Sequence, residues 1–316
     1  GNTVVVKPSE ETPLTATLLG EVMNKVGVPK GVYNVINGFG PDSAGEFLTR
    51  HKDVDAITFT GETRTGSTIM KAASDGIRDV SFEMGGKNAG IVFADCDFDK
   101  AVDGIFRSAF LNTGQVCLGT ERVYVQRPIF ERFVAALKEK VEGVSLGRPT
   151  DSGVNYGPLI SHEHRDKVLS YYAKARADGA TIVTGGGVPE MPSELSEGSW
   201  VQPTIWTDLP ESSAVIQEEI FGPVLVVIPY EADTVGIAND SDFGLSGSVW
   251  TNDIEHGIDT ARQVRTGTYT LNGFAMDFNS PFGGYKQSGL GRELGPQGLQ
   301  TILEYKTINL PADNQG

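Results

Sequence analysis

Short apolar strands alternate with amphipathic helices along most of the chain, and this alternation restricts its fold more than any other feature. Four strand-like runs, rich in β-branched residues, occupy residues 3–6, 32–36, 56–60 and 80–83, and helical patterns with short connections separate them. Such alternation is typical of a parallel sheet with crossover helices. The sequence therefore predicts an α/β fold whose first domain is a parallel sheet of the nucleotide-binding, Rossmann-like type.

The alternation pauses at residues 84–88 and resumes with longer elements, which predicts a second α/β domain. A glycine-rich stretch at residues 273–291 is too long for a simple connection and predicts a binding segment or a lid. Residues 302–310 are predicted to form a terminal strand, which needs a partner that another subunit could supply. We therefore divide the chain into residues 1–85, residues 86–300 and residues 301–316.

Composition limits the classes of function. With 26 basic and 41 acidic residues the net charge is −15, which disfavours binding to nucleic acid or to anionic membranes. No apolar run reaches the roughly 18 residues that a membrane span needs. The two cysteines cannot form a disulfide framework and predict a reducing, cytoplasmic location, while the dispersed histidines and cysteines predict no metal site.

Cys117 differs from most packing cysteines because its neighbours are small and polar. It follows a predicted helix that breaks at Gly114 and precedes a turn and a strand. A thiol at such a break can be reached by a ligand, and nearby backbone N–H groups could stabilise an oxyanion. Position alone favours a cysteine that merely packs, since free cysteine is among the most buried residue types.

Two segments have features of a nucleotide site. The loop from Thr60 through Gly61 and Glu62 to Gly66 follows a strand and opens a helix, whose N–H groups and dipole favour a phosphate. Lys7, Ser9 and Glu10 follow a neighbouring strand, where such folds bind a ribose. The alternative for Lys7 and Glu10 is a solvated ion pair.

A third set of candidates lies in apolar or glycine-rich surroundings. Glu83 ends a strand between Phe82 and Met84, and desolvation there would raise its pKa toward that of a general base. The alternative is a structural glutamate that is paired with Lys87. One further loop carries Glu219 and Phe221, and a later glycine-rich loop carries Phe282. The alternative for each loop is that its aromatic side chain only packs.

Six motifs, in this order over the whole length, resemble the NAD(P)-dependent aldehyde dehydrogenase superfamily: Lys7-Pro-Ser-Glu10, Phe59-Thr-Gly61, Phe82-Glu-Met-Gly-Gly-Lys87, Gly114-Gln-Val-Cys117, Glu219-Ile-Phe-Gly-Pro223 and Pro281-Phe-Gly-Gly284. Between Cys117 and Trp206 the chain is most similar to the hydroxymuconic and aminomuconic semialdehyde dehydrogenase branch. From Tyr230 onward it is more similar to general or aromatic aldehyde dehydrogenases.

The resemblance implies an NAD-dependent oxidation of an aromatic aldehyde or a semialdehyde to an acid. It makes Cys117 the nucleophile, which forms a thiohemiacetal and then a thioester, with its own N–H as half of the oxyanion hole. It makes Glu83 the base that activates the hydrolytic water. Val116, Leu118, Phe274 and Phe282 would line the substrate pocket.

The resemblance also implies a cofactor site and an assembly. Its ligands would be Lys7, Ser9, Glu10, Thr60, Gly61, Glu62, Gly66, Gly85, Glu219 and Phe221. The cofactor is NAD, with NADP as the alternative, because the Glu10 carboxylate would repel a 2′-phosphate. Residues 1–85 become the C-terminal part of an NAD-binding domain, residues 86–300 the catalytic domain, and residues 301–316 an oligomerisation strand and tail of a homodimer or homotetramer.

The chain departs from the family pattern in three places. The upstream segment that carries the asparagine of the oxyanion hole is absent, so the chain resembles a fragment that would be inactive alone. Glu62 replaces a serine that is common beside the pyrophosphate. Asn279 and Ser280 stand where the muconic branch carries an arginine, and residues 274–278 offer an apolar wall instead.

Two rival functions remain open on the sequence. A cysteine esterase or acyltransferase would use Cys117 with His162 or His164 as the base. A crystallin-like relative would keep the fold without catalysis, although the presence of both Cys117 and Glu83 argues against it.

Overall fold

The computed structural model describes residues 1–232 and 234–310. The strands are β1 Val4–Val6, β2 Tyr33–Val35, β3 Ala56–Thr60, β4 Asp79–Glu83, β5 Asn88–Val92, β6 Thr120–Gln126, β7 Thr181–Thr184, β8 Thr204–Thr207, β9 Val224–Tyr230, β10 Phe243–Gly244, β11 Gly247–Trp250, β12 Thr270–Leu271, β13 Tyr285–Lys286 and β14 Gly289–Leu290. The helices are α1 Leu14–Lys25, α2 Ala44–Arg50, α3 Thr63–Ser74, α4 Phe98–Phe110, α5 Phe130–Glu142, α6 His162–Ala177, α7 Ala214–Gln217, α8 Thr234–Asn239, α9 Ile254–Gln263 and α10 Gly295–Gln300.

A seven-stranded sheet forms the centre of the larger region. Its order is β12-β11-β5-β6-β9-β8-β7, and every pair is parallel except β7 with β8. Strands β5 and β9 are almost continuous apolar runs, as expected for parallel strands that are covered on both faces. The predicted α/β class is confirmed, with a mostly parallel central sheet.

Helices cover both faces of this sheet. Alternate residues of β6 and β9, such as Val123 and Leu225, join a buried cluster with Phe133 of α5 and Ile105 of α4. Residues on the other face of the sheet, such as Val226 of β9, pack in a second cluster with Tyr172 of α6. The two-residue period of a strand therefore divides its side chains between two helical layers.

The first 83 residues form two separate small sheets rather than one. Strands β1 and β2 pair in parallel, and β3 pairs in parallel with β4. Parallel pairing with crossover helices was predicted, but no strand among the described residues joins the two pairs into a single sheet. Strand β14 adds antiparallel to β4, with Gly289 opposite Glu83, so residues 289–290 join a sheet of the first predicted domain. The three domain boundaries stay a prediction.

Most apolar side chains of the first strand and the first helix are exposed. Val4 and Val5 of β1 are 47% and 44% exposed, and the apolar positions of α1, including Leu14 and Leu18, are also exposed. Among the described residues, no element packs on this face of α1.

Several elements were not predicted, or were predicted differently. Strand β8 and helices α7 and α8 were missed because each has six residues or fewer and no clear periodicity. Residues 185–199 contain only a short 3₁₀ turn. Residues 302–310 form no strand within this single chain, and residues 311–316 of the predicted oligomerisation segment lie outside the described residues. No described helix is long and apolar enough to cross a membrane.

Helix α4 approaches β11 so closely that one position requires glycine. A Cβ at Gly104 would lie 1.9 Å from Cη2 of Trp250, which is 2% exposed. Gly104→Ala should therefore destabilise the protein by about 1–3 kcal/mol, because overpacking outweighs the small gain in helix propensity. Denaturant unfolding measures the change.

The matched control is Gly143→Ala at the end of α5. A Cβ there meets its nearest atoms at 3.5 Å, an ordinary contact, so its effect should stay within about 0.5 kcal/mol. Equal effects of the two substitutions would show that the contact between α4 and β11 is looser than described.

Candidate active site

Cys117 lies in a loop that joins the end of α4 to β6 and is bent by three left-handed residues in a row. Asn112, Thr113 and Gly114 have φ of 52°, 58° and 73°. A Cβ at Gly114 would lie 1.9 Å from the carbonyl oxygen of Gly222, so only glycine fits there. The α-helix ends at Phe110, earlier than the predicted break at Gly114, and the bend that follows presses the Cys117 loop against the loop that contains Glu219.

The side chain of Asn88 fastens the Cys117 loop to the central sheet. Its Nδ2 donates to the carbonyl oxygens of Cys117 and Gly119 at 2.7 and 2.8 Å, and its Oδ1 accepts from the N–H of Ser246 at 2.9 Å. Asn88 is 3% exposed, so all three bonds form away from water, where a lost bond is costly. It therefore fixes the position of the cysteine backbone.

The Glu219 loop, residues 219–223, lies between the Cys117 loop and the Gly85–Gly86 turn. Oε1 of Glu219 accepts from the N–H of Gly86 at 3.0 Å. A Cβ at Gly85 would lie 2.1 Å from Oε2 of Glu219, so this carboxylate occupies the space beside the glycine. Burial and the nearby Glu121 raise the pKa of Glu219 to about 7.

A buried ion pair joins Lys87 to Glu121. Lys87 is 2% exposed, and its Nζ donates to Oε2 of Glu121. The alternative that paired Lys87 with Glu83 is therefore wrong. Burial lowers the pKa of Lys87, and the Glu121 carboxylate opposes that shift.

Glu83 is buried without a hydrogen-bond partner. The residue is 4% exposed, and neither of its carboxyl oxygens has a partner in the structure. Burial, followed by the charge of Glu293, raises its pKa to about 8, while Arg292 opposes the shift. A carboxyl group with that pKa is mostly protonated at neutral pH, and its minority carboxylate form can accept a proton from a thiol or a water.

Cys117 is electrostatically coupled to the two carboxylates. Burial, then Glu219 and then Glu83 raise the pKa of its thiol to about 11, while the N–H groups of Leu118 and Cys117 lower it. The thiol is therefore protonated at neutral pH in the protein alone, and its reaction as a thiolate requires a base or a nearby positive charge.

The predicted cofactor residues fall into three groups. Nζ of Lys7 contacts Oε2 of Glu10 at 3.2 Å and the carbonyl oxygen of Gly38 at 3.0 Å; Ser9 lies between the two charged residues in sequence. Thr60, Gly61 and Glu62 lead into α3. Gly85, Glu219 and Phe221 lie beside the Cys117 loop.

Strand pairing connects only some of these groups. The N–H of Gly61 donates to the carbonyl oxygen of Glu83 at 3.0 Å, so the α3 group adjoins the candidate base. Helix α3 begins at Thr63, so Gly66 lies within the helix against Met84 rather than in the predicted loop. The Lys7 group belongs to the separate β1–β2 sheet.

A cleft of about 350 Å³ adjoins the Cys117 loop. Three of the four residues that were predicted to form the substrate pocket line it, namely Leu118, Phe274 and Phe282. Val116 does not; its carbonyl oxygen instead accepts from the N–H of Gly119 at 2.8 Å. The remaining wall is rich in hydroxyl groups, including those of Ser246 and Thr268.

The histidines that were considered as bases are engaged elsewhere. Nδ1 of His162 shares a hydrogen bond of 3.1 Å with Oγ of Ser199, and Nε2 of His164 donates to the carbonyl oxygen of Phe221 at 2.7 Å. The geometry therefore gives no support to a cysteine–histidine hydrolase.

Sequence reasoning missed Asn88 and Glu121, and it considered His164 only as a base and not as a partner of Phe221. One signal was available for Glu121, since it and Arg122 are charged residues at the start of an otherwise apolar strand. A buried amide such as Asn88 leaves no comparable pattern, because its three partners are distant in sequence.

Residues 1–308 match the aldehyde dehydrogenase family. The 2-hydroxymuconic semialdehyde dehydrogenase of Pseudomonas sp. (strain CF600) is 60% identical over 311 residues, which cover 98% of this chain and 64% of that protein. The 2-aminomuconic 6-semialdehyde dehydrogenase of Pseudomonas sp. is 50% identical over an alignment that covers 100% of this chain and 65% of that protein. The chain thus spans slightly less than two thirds of these relatives.

Solved structures show the same fold. An aldehyde dehydrogenase from Mycobacterium tuberculosis, complexed with NAD⁺, superimposes with a TM-score of 0.93 at 42% identity over 98% of this chain and 63% of that one. A betaine aldehyde dehydrogenase from Staphylococcus aureus, in complex with NAD⁺, superimposes with a TM-score of 0.91 at 42% identity. The match covers 94% of this chain and 59% of that one.

The raised pKa of Glu83 should appear in the pH dependence of stability. Between its ordinary value of 4.5 and about 8, the unfolded chain releases a proton that the folded protein retains. Stability should therefore fall as pH rises through this window, by at most about 1.4 kcal/mol per pH unit, and this contribution should level off above it.

Glu83→Gln removes this contribution. Urea unfolding at a series of pH values should show that the free energy of unfolding of the variant rises relative to that of wild type between pH 5 and pH 8. The exposed Glu163→Gln is the matched control for the loss of one carboxylate. Parallel curves for wild type and Glu83→Gln would contradict a buried, protonated Glu83.

Proposed function

The chain belongs to the aldehyde dehydrogenase family, and from that premise we propose that it forms the catalytic part of an enzyme that oxidises an aldehyde to a carboxylic acid with NAD⁺. The observation that carries the proposal is the coupling of Cys117 to Glu83 and Glu219, two carboxyl groups with strongly raised pKa values, beside a cleft that Leu118 and Phe282 line. A packed structural cysteine would not need these neighbours.

Cys117 acts as the nucleophile. Glu83 accepts the thiol proton, and the sulfur attacks the carbonyl carbon of the aldehyde. The N–H of Cys117 stabilises the oxyanion that forms. After the hydride leaves, the acyl group remains on the sulfur as a thioester, and Glu83 takes a proton from the water that hydrolyses it.

NAD⁺, when bound, supplies the hydride acceptor. The residues present fit such a dinucleotide, because α3 begins without any side chain that caps its N–H groups, and these can receive a phosphate. Lys7 and Glu10 would hold the adenosine ribose. Glu219 would hold the nicotinamide ribose, and Phe221 would contact the nicotinamide ring. Glu62 is exposed and lies 3.5 Å from Nζ of Lys167, which offsets its charge near a phosphate.

The substrate is an aromatic aldehyde or a semialdehyde. Leu118, Phe274 and Phe282 give the cleft an apolar wall, and its hydroxyl groups suit a polar substituent on the aldehyde. The names of the two muconic semialdehyde relatives support a semialdehyde.

Assembly and location are further parts of the proposal. The exposed Ile302, Leu303 and Ile308 favour pairing of the C-terminal segment with another subunit in a homodimer or homotetramer. Both cysteines are free, which supports the reducing cytoplasm.

Assayed together with the upstream segment that carries the oxyanion-hole asparagine in the family, Cys117→Ala should abolish NADH formation with any aldehyde, because no other group replaces the sulfur, while NAD binding stays within about twofold of wild type. Absorbance at 340 nm measures turnover, and fluorescence titration measures binding. Cys96→Ala is the matched control and should remain active. Turnover by Cys117→Ala would refute the mechanism, and ester cleavage without any dinucleotide oxidation would favour the hydrolase.

The cofactor preference can be tested at the ribose site. The wild type should use NAD in preference to NADP, since the Glu10 carboxylate repels a 2′-phosphate. Glu10→Gln should narrow the ratio of kcat/KM for NAD over NADP by about tenfold, which corresponds to roughly 1.4 kcal/mol. A wild type that prefers NADP would contradict this role. The same assay, run with aromatic, aliphatic and muconate-type aldehydes, ranks the substrates.

A further inference from the structure

We propose that the buried Lys87–Glu121 pair is a positioning pair, which holds the Glu219 loop in the conformation that receives the nicotinamide half of the cofactor. The inference rests on the proposed function, and it assigns a role to two residues that take no part in the chemistry described above.

Glu121 uses both of its oxygens to bind the loop. Oε1 accepts from the N–H of Phe221 at 2.8 Å, and Oε2 accepts from the N–H of Ile220 at 3.0 Å. Oε2 is also the oxygen that Lys87 contacts. One carboxylate therefore joins the lysine to two consecutive backbone groups of the loop.

The contacts form a closed ring. Lys87 binds Glu121, Glu121 binds Ile220 and Phe221, the chain leads back to Glu219, and Glu219 accepts from the N–H of Gly86, the neighbour of Lys87. The backbone of Lys87 is also held, because Nε of Arg122 donates to its carbonyl oxygen at 2.9 Å. Movement of the lysine would thus be transmitted to both sides of Glu219.

The loop needs such support because its backbone is strained. Phe221 has a φ of 60°, in the left-handed region that favours glycine. Its N–H is held by Glu121, and its carbonyl oxygen accepts from Nε2 of His164 at 2.7 Å. Without the pair, Phe221 is free to relax toward an ordinary conformation and to carry Glu219 with it.

A charged pair suits this task better than two neutral groups. An ammonium group on one side fixes the orientation of the carboxylate, so that both oxygens stay directed at the loop. The pair is fully enclosed, with Lys87 and Glu121 at 2% and 6% exposure, so no water substitutes for a lost partner.

The test compares three variants with one control. Glu121→Gln keeps the size of the side chain but removes its charge, Lys87→Met removes the cation, and the double variant removes both charges together. The control is Tyr172→Phe, which removes a buried hydrogen bond of 2.6 Å to the carbonyl oxygen of Gln202, outside the ring.

Two readouts separate positioning from mere stability. Fluorescence titration gives the Kd for NAD, and hydrogen–deuterium exchange without NAD reports the amides of Ile220 and Phe221. If the pair keeps the Glu219 loop in the conformation that binds NAD, its removal should lower the fraction of molecules in that conformation. A fall of that fraction to about one tenth raises the Kd for NAD about tenfold. Glu121→Gln and the double variant should show this rise together with faster exchange, a raised KM for NAD and an unchanged KM for the aldehyde.

Tyr172→Phe should lower the melting temperature and leave both readouts unchanged. If Glu121→Gln and the double variant lower the melting temperature but leave the Kd and the exchange as in wild type, the pair is merely structural and the inference is overturned. If Lys87→Met does not fold, the double variant decides, because it buries no unpaired charge. A wild type that binds no NAD overturns the proposed function itself, which distinguishes the two failures.

Discussion

The site depends on backbone contacts that are too close for any side chain. Gly114 touches the carbonyl of Gly222, and Gly85 borders the carboxylate of Glu219. Gly283 borders Oε1 of Glu83 in the same way, with a Cβ position 2.7 Å from that oxygen. These contacts bring the Cys117 loop, the Glu219 loop and the glycine-rich segment before β14 together around one thiol. Substitution at any of them would separate the reacting groups before it disturbed the central sheet.

Close approach of this kind concentrates negative charge in a buried space. Glu83 and Glu219 both have raised pKa values, and both raise the pKa of Cys117. The arrangement is electrostatically unfavourable in the protein alone, and a bound positive charge would relieve it. Arg292 lowers the pKa of Glu83, and Lys167 and Lys87 lower that of Glu219, but both pKa values stay raised, so a further positive charge beside Cys117 would be favourable. The oxidised nicotinamide ring fits that requirement.

The sequence predicted the parts of this arrangement that are local. Strand and helix periodicity gave the α/β class and most elements of the larger region, and the apolar flanks of Glu83 predicted its raised pKa. Contacts between residues distant in sequence were not predicted. The partner of Lys87 is Glu121 rather than Glu83, and Asn88 binds the Cys117 loop from another strand. The sequence pattern also shows an apolar face on α1 but not whether another element covers that face.

The most direct test of the account is a search for the acyl intermediate on Cys117. Glu83→Gln, mixed with an aldehyde and NAD, should form at most one equivalent of NADH, and slowly, because only the positive nicotinamide ring is left to promote formation of the thiolate. It should then retain the acyl group, because the water is no longer activated. Mass spectrometry should place an added mass equal to that acyl group on the peptide that contains Cys117. NADH formation with an unmodified Cys117 peptide would contradict the central role of this thiol and of Glu83 as the base that clears it.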